Sequence, residues 1–161
     1  MLFRSGGNTT IVLDFLRRTD PNNLYPFLVV LPGGGVFVGY YNEARILDEV
    51  TFATTKVLPN IPGAVNNFLG GRTYPMEGTL VVLPQHAPYT DPLTVLICGG
   101  STPGAAIALD NCVSTQPEAA NPTWTIERMV RYSHSLDIIA FITNKLVSAL
   151  EACDDMHGSP P

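Results

Sequence analysis

Short apolar runs, each cut off by glycine, proline or a polar break, set the pattern of this chain. The clearest stretch is 72–101, RTYPMEGTLVVLPQHAPYTDPLTVLICGGS. It holds two runs of β-branched and leucine residues, 80–83 and 93–97, with a polar, Pro-bearing connection between them. A run of four or five such residues ending at Pro or Gly reads as a short buried strand, and two joined by a loop read as a hairpin. Gly99-Gly100 follows the second run and permits a backbone that a residue with a Cβ resists.

The pattern occurs twice. Tyr25-Pro26 precedes LVVLP at 28–32, a triple-glycine turn at 33–35, and VFVGY at 36–40. Tyr74-Pro75 precedes LVVLP at 80–84, a longer loop, and the run at 93–97. The offset from Leu28 to Leu80 is 52 residues. Short strands and glycine turns repeating every ~50 residues match the period of a kelch-type propeller blade, with four antiparallel strands per unit. The fold expected is all-β: a partial β-propeller of about two kelch-like blades, at about 24–62 and 72–126, with a divergent, helical C-terminal end.

In the first unit, RILDE at 45–49 and TFATTKVL at 51–58 continue the meander. Pro59-Asn60-Ile61-Pro62-Gly63 punctuates strongly and marks the connection between units. In the second, 107–109 reads as a short strand, 111–121 as a polar surface loop, and 124–126 as the outer strand bearing the sole tryptophan, Trp124. Residues 1–20 read as a connection, with short strand character at 11–13 and 15–16. Beyond residue 130 the period changes. Leu136, Ile139, Ala140, Thr143, Leu146, Val147 and Leu150 fall three and four apart, which predicts a helix over 136–150, followed by a polar tail to 161.

Composition narrows the class of partner. A chain of 161 residues with 45% apolar residues can build one core. Charged residues are 14%, against roughly 25% in an ordinary domain. The net charge of −5 and the scatter of nine basic residues argue against a nucleic-acid surface. No apolar run reaches the length of a membrane span, and the first ten residues carry no signal-peptide core. Three cysteines fit neither a disulfide-dense miniprotein nor a zinc site. Asn8-Thr9-Thr10 is a glycosylation sequon, which matters only if the chain is secreted.

With these motifs in place, LRRTDPNNLYPFLVVLPGGGVFV followed by LPNIPGAV and RTYPMEGTLVVLPQHAPYTDPLTVLICGGSTPG resembles the propeller domain of fungal glyoxal oxidase-like proteins. These stand with galactose oxidase among the copper radical oxidases. The resemblance runs from about residue 6 to 129. It implies a seven-bladed propeller in a secreted fungal protein. It also implies oxidation of small aldehydes to carboxylic acids, with O2 reduced to H2O2. The implied cofactor is one copper ion beside a tyrosine cross-linked to a cysteine, with a second tyrosine and two histidines completing the shell.

Those ligands do not transfer. The cross-linked pair lies upstream of the matched segment, and the adjacent Tyr-His pair lies downstream. This chain has no Tyr-His dipeptide. Tyr132 and His134, in VRYSHS, are the nearest approach. The intervening Ser133 would put both on one face of a strand, unlike the family's adjacent pair. His86 and His157 read as solvated surface histidines, and Tyr74 as packing between blades. No copper is expected to bind this chain alone, and catalytic residues are not assigned. In a secreted protein Cys98 and Cys112 could form a disulfide contributing about 3 kcal/mol, or they could be two buried thiols; Cys153 is left free. The rival reading is a non-catalytic kelch-like binding or structural module. With two blade faces lacking neighbours, the isolated chain is expected to self-associate.

Overall fold

The computed structural model describes residues 2–4, 10–63, 70–85, 87–102, 104 and 107–128. The order of elements is β1 (Leu2–Arg4), β2 (Thr10–Val12), α1 (Asp14–Arg18), β3 (Phe27–Val30), β4 (Val36–Tyr40), β5 (Glu43–Leu47), β6 (Thr54–Val57), β7 (Gly78–Leu83), β8 (Thr94–Gly99), β9 (Asn111–Thr115) and β10 (Thr125–Arg128). Strands β3-β4-β5-β6 make one four-stranded antiparallel meander, and β7-β8-β9-β10 a second. Strands β1 and β2 pair separately. The fold is thus all-β in two blade-like sheets. The expected helix over 136–150 lies outside the described residues, as does the rest of 131–161.

The alternation of side chains along each strand divides each sheet into two faces. In the first sheet, Val29, Phe37, Ala44 and Ile46 point at the second. In the second sheet, Val95, Ile97 and Val113, with the partly buried Leu80, Trp124 and Ile126, point back. Together these form the shared core, in which Phe37, Ile97 and Val113 are fully buried. Each such side chain contributes about 1.5–3 kcal/mol over leaving it in water. The outer face of the first sheet holds Val38, Tyr40 and Leu47, covered by Leu13, Phe15 and Leu16.

The repeat shows how the sheets are related. Cross-strand pairing runs Leu28–Val38–Arg45–Val57 in the first sheet and Leu80–Ile97–Val113–Ile126 in the second. The first row includes Val38 of the outer face, while the second row packs in the shared core. The repeated leucines therefore occupy the same face of each sheet, pointing the same way along the stack. A face-to-face sandwich with a two-fold axis would put both in the shared core. Successive blades stacked by rotation give the arrangement seen.

Two expectations need correction. Phe15 and Leu16 are not strand residues: they lie in α1 and bury against the first sheet. The third strand of the second sheet is Asn111–Thr115, inside the stretch expected to be a loop, while Ala108 makes only an isolated bridge to Ser101. The polar letters of NCVST hid this strand. Both of its faces are buried: Val113, opposite Ile97, in the shared core, and Cys112, opposite Cys98, on the other face. The turn between β3 and β4 closes through Leu31 N–H to the Gly35 carbonyl at 3.0 Å. Gly34 and Gly35 adopt φ of 96° and 89°, a left-handed pair that glycine accommodates without a Cβ clash.

Candidate functional site

The seam between the sheets is built on Arg72, which is 0% exposed. Its Nη2 donates to the carbonyls of Pro62 (2.6 Å) and Gly63 (2.8 Å) and to Asn111 Oδ1 (3.3 Å). Its Nη1 donates to the carbonyls of Gly99 and Asn111. Its backbone N–H donates to the Tyr41 carbonyl at 2.8 Å, and its own carbonyl accepts from Gly78 N–H at 2.8 Å. One residue thus ties the first sheet, the linker and three strands of the second. No carboxylate among the described residues pairs with it, and burial lowers the guanidinium pKa to about 10, so it stays protonated at neutral pH. The planar fork supplies what a linker rich in free carbonyls lacks, namely donors in several directions. Gly100, at φ 104°, lies against this seam, and a Cβ there would collide with the Gly71 carbonyl oxygen.

Further bonds close the seam at its ends. Trp124 Nε1–H donates to the Pro59 carbonyl at 2.8 Å. Gly33 N–H donates to Glu118 Oε1 at 2.7 Å, and Lys56 Nζ donates to the Pro117 (3.2 Å) and Ala119 (2.5 Å) carbonyls. Tyr74 meets Tyr25 edge-on at 5.4 Å, and the two form an isolated antiparallel bridge. On the second sheet, Cys98 and Cys112 face each other across β8 and β9 and are joined by a disulfide.

A polar cluster lies on the outer face of the first sheet. Glu43 Oε2 accepts from Arg18 Nη2 at 2.7 Å and from Tyr40 Oη at 2.9 Å. Arg45 Nε donates to Tyr40 Oη at 2.6 Å, and its guanidinium lies over the Phe15 ring, 4.9 Å from the centroid. Burial drives the Tyr40 phenol up to about 12; the Arg45 hydrogen bond opposes this and Glu43 adds to it. Burial also pushes the Glu43 carboxyl up, but the Arg18 and Tyr40 hydrogen bonds and the charges of both arginines outweigh it, so its pKa is lowered.

Of the residues singled out from sequence, Asn8, His86, Tyr132, His134, Cys153 and His157 lie outside the described residues. A copper centre of the implied kind needs two imidazoles beside its phenols. The described residues include no histidine, and no three His, Cys, Asp or Glu side chains among them gather at one point. They do not fit such a centre. Sequence reasoning passed over Arg72 as part of a packing motif and missed the cluster on the outer face. Alternation in EARIL did signal that Glu43 and Arg45 share a face.

Residues 3–151 match the family model described as glyoxal oxidase N-terminus. The chain is 71% identical over 119 residues to a WSC domain-containing protein of Arthroderma benhamiae, covering 74% of this chain and 13% of that protein. It is 30% identical over 146 residues to the putative aldehyde oxidase Art an 7 of Artemisia annua, covering 79% and 23%. It is 31% identical over 131 residues to the aldehyde oxidase GLOX1 of Arabidopsis thaliana, covering 71% and 20%. The chain therefore spans less than a quarter of the length of these relatives. No solved structure matches it. No helix among the described residues is long and apolar enough to cross a membrane.

Proposed function

The chain belongs to the glyoxal oxidase N-terminus family, and we propose that it supplies two successive blades to the propeller of an aldehyde oxidase. The observation that carries this reading is the repeat of faces. Leu28 and Leu80 hold the same place in two four-stranded sheets that share one core, as neighbouring blades do. The units are about 24–62 and 72–126.

In the reaction proposed, an aldehyde and water become a carboxylic acid, releasing two electrons and two protons, and O2 takes up both pairs to become H2O2. In such an oxidase a copper ion beside a redox-active phenol would supply the electron transfer; the described residues do not hold it. What the described residues contribute is the seam: Arg72 fixes the angle between blades on which a site assembled from several blades depends. The Cys98–Cys112 disulfide supports passage through an oxidising compartment and a secreted protein. In that setting the Asn8 sequon is a glycosylation site.

The test is peroxide production from methylglyoxal by a copper-loaded protein that contains this segment, beside the 161-residue chain alone. Turnover is expected from the first and none from the second. A longer protein that holds no copper and makes no peroxide would favour the rival reading, a kelch-like binding or structural module. Turnover by the short chain would overturn the placing of the centre. The short chain is also expected to self-associate, since Leu28, Val30 and Val57 are exposed on the outer face of the first sheet. A monodisperse monomer by light scattering would contradict that.

A further inference from the structure

A cavity of about 740 Å³ opens between α1 and the outer edge of the first sheet, lined in part by Phe15, Arg17, Arg18, Arg45, Phe52 and Thr54. We infer that it is a binding site for a small organic monocarboxylate.

The argument begins with Arg45. Its Nε is spent on Tyr40 Oη at 2.6 Å. Its Nη2 lies 3.9 Å from Glu43 Oε2, too far for a hydrogen bond, and that oxygen already accepts from Arg18 and Tyr40. The two terminal amino groups of Arg45 thus make no hydrogen bond to the described residues, although the side chain is only 22% exposed. Both amino groups are therefore open to a ligand from the cavity side, which Arg45 lines. Its ring contact with Phe15 and its bond to Tyr40 fix the guanidinium plane beforehand. A guanidinium edge held in place matches the two oxygens of a carboxylate.

The surroundings choose the ligand's charge. Arg17, exposed and without an ion pair among the described residues, adds a second cation to the lining. Asp14 also lines the cavity, and Glu43 stands behind it. Three guanidinium groups against these two carboxylates leave a net single positive charge, which suits a monoanion better than a phosphate dianion. The lining is mostly polar; Phe52, half-buried, gives it one apolar side, while Phe15 is buried beneath Arg45. Phe52 sits at φ 57°, an uncommon conformation for a bulky residue. A turn holds it there: the Asp48 carboxylate accepts from Val50 N–H (3.0 Å), Thr51 N–H (2.7 Å) and Thr51 Oγ1 (2.8 Å). The turn sets the Phe52 backbone beside the cavity.

Calorimetric titration of the 161-residue chain with benzoate, benzamide and inorganic phosphate tests the site. Benzoate is expected to bind at least about tenfold more tightly than either of the others, because only it presents a singly charged carboxylate. Arg45→Gln should abolish that preference. Should that variant lose its fold by circular dichroism, Arg17→Gln, on an exposed position, should still weaken benzoate severalfold while leaving benzamide unchanged. Equal affinity for benzoate and benzamide, tighter binding of phosphate, or no benzoate binding at all would each overturn the inference. Unchanged benzoate affinity in a folded Arg45→Gln or Arg17→Gln chain would do the same.

Discussion

The two sheets have the same strand order but hold equivalent rows by different means. In the first, Gly39 stands opposite Ala44; in the second, the equivalent pair is Cys98 opposite Cys112, bonded through sulfur. Gly39 and Ala44 lie on the face toward the second sheet, where Phe37 and Ile46 already fill the space and small residues allow close approach. Cys98 and Cys112 lie on the opposite face of the second sheet, grouped with Leu96. The connections differ too: β3 and β4 are joined by a tight glycine turn, β7 and β8 by the longer loop 84–93. The first sheet is thus held by packing on both faces and by a short turn. The second relies more on a covalent tie and on Arg72.

The largest effect should come from removing Arg72. Arg72→Met strips donors from at least four carbonyls inside the seam, and unsatisfied buried groups cost about 1–3 kcal/mol each. A loss on the order of 3–5 kcal/mol is expected, allowing for relaxation. Arg72→Lys should recover little of it, since a compact ammonium cannot reach carbonyls on opposite sides. Urea melts of both variants measure this; a Lys variant as stable as wild type would mean that charge, not geometry, holds the seam.

Next is the disulfide, which closes a loop of 14 residues in sequence separation. Replacing both cysteines with alanine should cost about 3 kcal/mol by the loop-entropy argument. The comparison sharpens if Gly39→Cys with Ala44→Cys is made in the first sheet. There the added bulk enters the shared core, so the pair should destabilise rather than stabilise. Thermal melts of both double variants decide it, and stabilisation by the second would mean that the seam has room to spare.

The smallest effect concerns Glu43 on the outer face. Its folded pKa lies below the ordinary 4.5, so its stabilising contribution is present above 4.5 and is lost as pH falls through the folded value. Because Arg18 is more than half exposed, solvent screens the pair and Glu43→Gln should cost about 1 kcal/mol or less. The gap in melting temperature between wild type and variant should close on acidification below 4.5. A gap that persists there would assign the effect to packing instead of charge.

Much of this architecture was legible in the chain. The spacing of Leu28 and Leu80 announced two units, and the apolar runs placed β3, β4, β7 and β8 closely. What stayed hidden had physical reasons. Strand β9 is written in Asn, Cys, Val, Ser and Thr, so no apolar run marks it, and its place depends on facing β8. Helix α1 is five residues long, too short for its period to show, and it forms because Phe15 and Leu16 find a covering role. Arg72 gave no sign of its burial, since the carbonyls it binds come from residues 62–63, 99 and 111, far apart in sequence.

Amide hydrogen exchange on wild type and Arg72→Met tests most directly whether the two sheets are successive blades joined through one seam. If Arg72 holds both, protection should fall together in β4 and β5 and in β8 and β9, with the Cys98–Cys112 bond intact. Loss of protection confined to one sheet, with the other unchanged, would contradict the account: the sheets would then be independent units that merely touch.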